Sequence, residues 1–297
     1  MRRYTFMDFE KDFPTEEACM EWLRGYLYPE GIFCKSCGKV TKHHRVKSRT
    51  SYSCDSCGHH EHPMAGTIFE NSRTPLRVWF HAIYLMASTR CGVSAKQIER
   101  ETGVTYKTAW RMCNAIRKML QEDEGPMDGR VEMDETYIGG KAKNMHAAKK
   151  AERIHGTGTI DKATVFGMLE RNGRVKAVHT VDATRTSLLP IIREGVLPKA
   201  TVYTDEALAY NGLTHHGYEH RRVHHASRVY VVGDVHTNTI EGFWSLLKRG
   251  LNGVYHAVSE KHLQGYLDEY SFRYNHRADS QPMFVTMLGQ VQKGYTR

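Results

Sequence analysis

The 297-residue chain contains no run of about 20 uninterrupted apolar residues, the length a membrane-spanning helix requires. Its opening, MRRYTFMDFEKDFP, reaches acidic side chains before any apolar stretch, so no secretory leader is expected. There is no internal repeat and no GxxxxGK[ST] loop, which gives no reason to expect ATP-driven chemistry or a nucleotide cofactor. Acidic residues are the minority charge: 33 Asp+Glu face 42 Lys+Arg, a formal net charge of +9 that suits a polyanionic partner without identifying one. An even cysteine count is also missing. Seven cysteines without export make a poor disulfide plan.

What is present begins with a helix expected over residues 13–29, capped by Thr15 and stopped by Pro29. A Gly-, Cys- and His-rich segment follows over 31–62, too polar to bury a core of its own. Pro75 to Arg90 reads as a buried or half-buried helix. In residues 92–120, Ser94 and Thr105 can each cap a helix and Gly103 breaks the chain between them, a helix-turn-helix pattern. The acidic Gly/Pro stretch 121–130 is the best boundary. Beyond it strands are expected over 131–139, 163–171 and 174–182, the last two joined by Asn172-Gly173, and a strand turning into a helix over 201–210. Helices are expected over 184–194, 237–250 and 259–277, with a short terminal one after Pro282. The expected division is 1–62, 63–125 and 126–297, the last an α/β domain.

Cys34 and Cys37, then Cys54 and Cys57, form two CxxC pairs separated by sixteen residues. Four thiolates surround Zn²⁺ tetrahedrally and leave no open position, so a structural zinc is expected there. Metal binding would replace the hydrophobic core that so short a segment lacks. From Lys35 to Arg49 come six basic residues, Lys35, Lys39, Lys42, Arg45, Lys47 and Arg49, with no acid among them, a candidate phosphate-backbone face. In the second helix of the pair, Lys107 and Arg111 are candidates for base edges or phosphates. The histidines His215, His216, His220, His224 and His225 lack a closed ligand pattern and read as surface or DNA-facing groups. Trp79, Trp110 and Trp244 read as core. The basic run Lys141–Arg153 fits a DNA-lining segment and a solvated loop equally.

Three carboxylates stand out: Asp134 inside VEMDETYIGG, Asp205 at the end of TVYTD, and Glu241 at the start of an amphipathic helix, 71 and 36 residues apart. Like charges resist sharing a dry site, and a divalent cation with hard oxygen ligands, Mg²⁺ or Mn²⁺, would resolve that conflict. Caps or surface groups are the plain alternative for the same three residues.

The segments VEMDETYIGGK (131–141), VYTD (202–205), HTNTIEGFWSLLKRGLNGVYH (236–256) and KHLQGYLDEYSFRYNHR (261–277) resemble the ISXO2-like transposase domain of the IS1595 group of bacterial insertion sequences. The ribbon and helix pair are similar to that family's usual N-terminal layout, so the resemblance covers nearly the whole chain. It implies an RNase H-like catalytic domain with a mixed sheet and a DDE metal triad of Asp134, Asp205 and Glu241. It also implies a lysine, Lys248, about two helical turns beyond the glutamate. By the same resemblance the expected activity is metal-dependent nicking at element ends and transfer of the 3′-hydroxyl into target DNA. The expected partners are double-stranded DNA and further copies of the chain, in a bacterial cytoplasm beside the nucleoid. A zinc-containing transcriptional regulator would explain the ribbon and helix pair without catalysis, and a nuclease would cut without joining.

Overall fold

The computed structural model describes residues 3–123, 125–139, 162–223 and 236–292. The chain divides into two compact units, one of residues 1–120 with 278–297, the other of 121–277.

In the first unit, α1 (Phe6–Asp12) is closed by a capping box between Thr5 and Asp8. Helix α2 (Glu16–Leu27) starts where Thr15 accepts the amide of Ala18 at 3.2 Å. Two short strands, β1 (Phe33–Cys34) and β2 (Lys39–Val40), pair antiparallel. Strands β3 (His43–Val46), β4 (Ser51–Cys54) and β5 (His60–Glu61) form a three-stranded sheet with β4 central and wholly buried. The ribbon is fastened to α2 by polar contacts: Tyr52 Oη donates to Glu21 Oε1 at 2.6 Å, and Tyr28 Oη to Glu61 Oε1 at 2.7 Å. Helix α3 (Leu76–Ser88) has no cap of its own; Glu16 supplies one, accepting the amides of Leu76 and Arg77 at 2.7 and 2.9 Å.

Helices α4 (Ala95–Thr102) and α5 (Tyr106–Met119) are joined as the sequence suggests, with Gly103 left-handed at φ +72° and Ser94 and Thr105 each capping through the side chain. One expectation fails here. Trp110 is 38% exposed, because the buried stripe of α5 is Ala109, Met112, Cys113 and Ile116, and Trp110 lies about 100° around the helix from Ala109. The expected 126–297 boundary also needs correction. Residues 278–297 belong to the first unit, where α9 (Met283–Leu288) places Phe284 edge-on against Phe9 and Phe13, both at 5.9 Å between centroids. Aromatic complementarity wins there over chain order.

The second unit is built on a five-stranded mixed sheet from β6 (Arg130–Ile138), β7 (Ala163–Glu170), β8 (Val175–Thr180), β9 (Thr201–Thr204) and β10 (Glu219–Arg222), in the order β10-β9-β6-β7-β8. Strands β6, β7 and β8 run antiparallel to one another, while β9 is parallel to β6 and β10 parallel to β9. Helix α6 (Arg185–Gly195) covers one face through Leu188 and Ile192, packed on Val131, Met133, Phe166 and Val202. Helices α7 (Asn238–Gly250) and α8 (Glu260–Asn275) cover the other, where Ile240, Trp244, Leu247, Leu263 and Leu267 meet Val165, Leu169 and Ala177. The helix expected within 201–210 is a single 3₁₀ turn at Leu208–Tyr210. Asp205 Oδ1 accepts the amide of Ala207 at 3.0 Å, and this Asx turn ends the strand before a helix can start. Strand β10, Glu-His-Arg-Arg, carries no apolar alternation and was not expected.

Two side-chain amides of α8 close the outer edge of β8. Asn275 receives the amide of Val175 at 2.8 Å, and Gln264 receives that of His179 at 2.9 Å and donates to the carbonyl of Ala177 at 3.1 Å. An exposed ladder edge invites pairing with another chain, and these contacts satisfy it.

Candidate functional site

In the ribbon, Cys34 and Cys37 lie on one tight turn and Cys54 and Cys57 on another. Each turn closes identically, Gly38 donating to the carbonyl of Cys34 and Gly58 to that of Cys54, both at 2.9 Å. Both glycines have positive φ, +64° and +74°, the conformation glycine alone adopts without strain. The four sulfurs lie within 4.8 Å of one another, with Cys34–Cys57 at 3.5 Å and Cys37–Cys54 at 3.9 Å. A tetrahedron with metal–sulfur bonds of about 2.3 Å has an edge of about 3.8 Å, so the cluster fits Zn²⁺. A hydrogen bond from Thr41, helped by the amides of Ser56 and Cys57, holds the Cys54 thiol down to about 5. Cys37 is pushed up to about 12 by the neighbouring sulfurs, Cys57 first. A set that crowded favours a cation at its centre.

The basic run of the ribbon is not uniform. Lys35, Lys39, Lys42, Lys47 and Arg49 are exposed. Arg45 is turned inward: its Nη1 donates to the carbonyls of Val46 at 2.5 Å and Ser51 at 3.2 Å, and to that of Arg49. Its guanidinium lies 5.7 Å from the centre of the Tyr52 ring. Lys107 and Arg111 are exposed on α5, one turn apart. His215 is exposed, and His220 bonds Thr204 at 2.8 Å rather than joining a ligand set. His224, His225 and the run Lys141–Arg153 lie outside the described residues.

On β6 the odd residues Val131 and Met133 face α6, so Glu132 and Asp134 share the opposite face, under α7. Strand β9 pairs with β6 in parallel register, Val131 to Val202 and Glu132 to Tyr203. Continued by two residues, that register sets Asp205 level with Asp134. Asp134 feels the charge of Asp205. Burial, then Glu135 and Asp205, raise Asp134 to about 7, against a lowering hydrogen bond from Trp244. Burial and Asp205 likewise raise Glu135, whose carboxylate accepts the hydroxyl of Tyr210.

Glu241 stands in the first turn of α7, exposed, with Oε1 accepting Thr237 Oγ1 at 3.2 Å. Three residues on, Trp244 donates its indole N–H to Asp134 Oδ2 at 2.9 Å, so the buried stripe of α7 is applied to the strand that carries Asp134, while Glu241 lies beside that stripe, exposed. Lys248 is half-buried near the other end of the same helix. Asp134, Asp205 and Glu241 are not gathered as tightly as the sulfurs; among the described residues the four cysteines are the one group of three or more potential ligands drawn within 4.8 Å.

Sequence reasoning passed over Glu132. It is fully buried, and its carboxylate receives the amides of Thr239 and Ile240 at 3.0 Å each, the hydroxyl of Thr239 at 3.0 Å, and Arg171 Nε at 2.8 Å. It therefore caps α7 from the neighbouring strand. Arg171 in turn donates to the carbonyl of His236 at 2.7 Å and stacks 4.0 Å from the centre of the Tyr203 ring. The signal was present in VEMDET: Glu132, Asp134 and Thr136 alternate with apolar Val131 and Met133, which puts two carboxylates on one face of a strand.

A four-cysteine cluster fit for zinc thus stands ahead of a mixed α/β domain with acidic side chains on its central strand. Residues 126–275 match the ISXO2-like transposase domain, and residues 14–60 match the transposase zinc-ribbon domain of the same group. The chain belongs to the IS1595 transposase family. It is 29% identical over 273 residues to an uncharacterized protein in transposable element ISH50 of Halobacterium salinarum, covering 89% of this chain and 92% of that one. It is 31% identical over 121 residues to an uncharacterized transposase-like protein of Haemophilus influenzae, covering 41% of this chain and 95% of the relative. A solved simian T-cell lymphotropic virus intasome in complex with PP2A regulatory subunit B56 gamma matches 68% of this chain and 74% of its own at 16% identity. Its TM-score of 0.31 is too low to establish a shared fold. No helix among the described residues is long and apolar enough to cross a membrane.

Proposed function

We propose that the chain is a divalent-metal-dependent DDE transposase that nicks the ends of its element and joins the freed 3′-hydroxyl to target DNA. The observation that supports this reading is the parallel register of β6 on β9, Glu132 opposite Tyr203. Carried on by two residues, it leads to Asp134 and Asp205, with the helix bearing Glu241 held over Asp134 through Trp244. Three antiparallel strands followed by two parallel ones, with helices on both faces, support an RNase H-like domain. Helices α4 and α5 with the basic ribbon support a DNA-binding function for the first unit, the ribbon and Lys107 on phosphates and Arg111 toward bases.

The donor set is all hard oxygen, and the mutual repulsion of Asp134, Glu135 and Asp205 is what a bound Mg²⁺ or Mn²⁺ would neutralise. Asp134 and Asp205 would hold the metal, with Glu241 completing the set. Such ions supply activation of the attacking oxygen and charge stabilisation on the leaving one. The chain's own groups do the rest. Trp244 and Glu132 hold the helix that carries Glu241 on the sheet, and Lys248 offers a positive charge to phosphate. The reaction would use DNA-bound copies of the chain, as two ends must be brought together.

The test is to incubate the full chain with Mg²⁺ or Mn²⁺, labelled duplexes carrying the element's own ends, and a target plasmid. Wild type is expected to give joined products on a denaturing gel, and Asp134→Asn none at equal DNA occupancy. Nicking without joining would make the protein a nuclease, and binding without either would make it a regulator.

A further inference from the structure

Asp134 has a dedicated partner that the family reading does not require. Its Oδ2 receives the indole N–H of Trp244 at 2.9 Å, and Trp244 is 4% exposed within the core between the sheet and α7. An indole N–H is a donor only, fixed in the plane of a rigid ring, so it holds one carboxylate oxygen in one place.

A second, independent observation concerns the strand next door. Asp134 on β6 stands directly opposite Gly167 on β7. A Cβ built on Gly167 would meet Trp244 Cζ2 at 2.5 Å and Cη2 at 2.6 Å, and Ile240 Cδ1 at 3.1 Å. No side chain but hydrogen fits there while the indole lies where it does. A glycine in the middle of a strand weakens it, and its presence often marks a close approach by another group. Gly167 has an ordinary strand conformation, since it is absent from the positive-φ residues, so backbone freedom is not its reason. The space it leaves is filled by the ring that reaches Asp134.

We infer that Trp244 is a positioning residue that orients the Asp134 carboxylate for divalent metal, and that Gly167 exists to admit its indole. This rests on the metal reading of Asp134. Only Oδ2 is engaged by Trp244, and each carboxylate oxygen has further lone-pair capacity, so the bond orients the group without occupying it. The partner shell of a metal ligand sets its direction, and losing one such bond costs about 10- to 100-fold in metal affinity.

The experiment measures Mn²⁺ binding to the zinc-loaded full chain by electron paramagnetic resonance, with no DNA and no turnover. Trp244→Phe keeps an aromatic ring in the core and removes the N–H donor. Mn²⁺ affinity is expected to fall about 10- to 100-fold at an unchanged zinc content. Phe243→Leu, a core change beside Trp244 with no bond to Asp134, is expected to leave it within about twofold by the same reasoning. Should Trp244→Phe fail to fold, the wild type answers instead. In ¹⁵N-indole-labelled protein, which has four tryptophans, one indole signal should move on adding Mg²⁺ and stay still in Asp134→Asn. Unchanged Mn²⁺ affinity in folded Trp244→Phe, or Asp134-dependent metal binding that moves no indole signal, overturns the positioning role alone. Absence of any Asp134-dependent Mn²⁺ binding in wild type overturns the metal reading and this inference with it.

Discussion

Glu132 and Arg171 form a buried ion pair, Oε1 to Nε at 2.8 Å, with side chains 0% and 11% exposed. Its carboxylate is shared with the first amides of α7, so one group neutralises a cation and the helix N-terminus together. Breaking such a pair from one side leaves a charge in a dry place, which costs about 3–5 kcal/mol. Glu132→Leu is therefore expected to lower stability by about that amount in urea titration. It should also speed hydrogen exchange at Thr239 and Ile240. Glu132→Leu combined with Arg171→Leu is expected to recover part of the loss. Equal destabilisation by single and double variants would show that the ion pair is not what fixes the helix.

Asp134 binds its proton more tightly when folded than when unfolded, because burial and two neighbouring carboxylates raise it from near 3.8 to about 7. The folded state therefore holds more protons between those values, and stability falls as pH rises through that window. Asp134→Asn removes the charge and keeps an oxygen to accept the Trp244 N–H. In magnesium-free buffer at pH 8 the variant is expected to be more stable than wild type by on the order of 2–4 kcal/mol. The advantage should shrink to nothing toward pH 4. Urea midpoints at pH 4.5, 6 and 8 measure it, and parallel pH curves would contradict it.

Local chemistry was legible in the sequence; long-range apposition was not. Thr15, Ser94, Gly103 and Thr105 mark helix ends because each acts within three or four residues. The CxxC pairs carry their own turn geometry. By contrast, Glu16 caps a helix sixty residues away, and Glu132 caps one more than a hundred away. Nothing near either residue announces its partner. The placement of Phe284 is the same kind of case, and it gives a test. At 3% exposure within the aromatic core of the first unit, Phe284→Ala is expected to cost about 3–5 kcal/mol there. A fragment ending at residue 120 should melt below one to which 278–292 is restored in trans or by fusion. Equal melting would mean the C-terminal segment is dispensable.

Zinc should be present at about one ion per chain, the stoichiometry of a closed four-thiolate site. Cys37→Ser leaves three thiolates and a weaker oxygen ligand. It is expected to lose most of the metal and to expose β4, whose residues are all buried. Tyr52 lies in that strand, so its contact with Glu21 should fail as well, while the second unit keeps its fold. Elemental analysis and proteolysis around residues 31–62 read the outcome. Full zinc content in Cys37→Ser would remove that residue from the ligand set.

The positive residues of the first unit should not contribute equally to DNA binding, and their geometry says which will. Each phosphate neutralised by Lys or Arg adds about 0.9 to the slope of log K against log salt. Lys47 is exposed, whereas Arg45 is tied to the carbonyls of Val46, Arg49 and Ser51 in its own hairpin. Lys47→Ala is expected to reduce the slope by about 1. Arg45→Ala should leave the slope nearly intact and act through hairpin stability. On α5, Lys107→Ala should weaken all duplexes alike. Arg111→Ala should cost about 1–3 kcal/mol on the element's own end and much less on unrelated DNA, the mark of a base contact. Fluorescence anisotropy with the full chain and labelled duplexes, between 50 and 200 mM salt, separates these cases. A slope that drops as much for Arg45→Ala as for Lys47→Ala would show that the hairpin releases its arginine to the phosphate backbone.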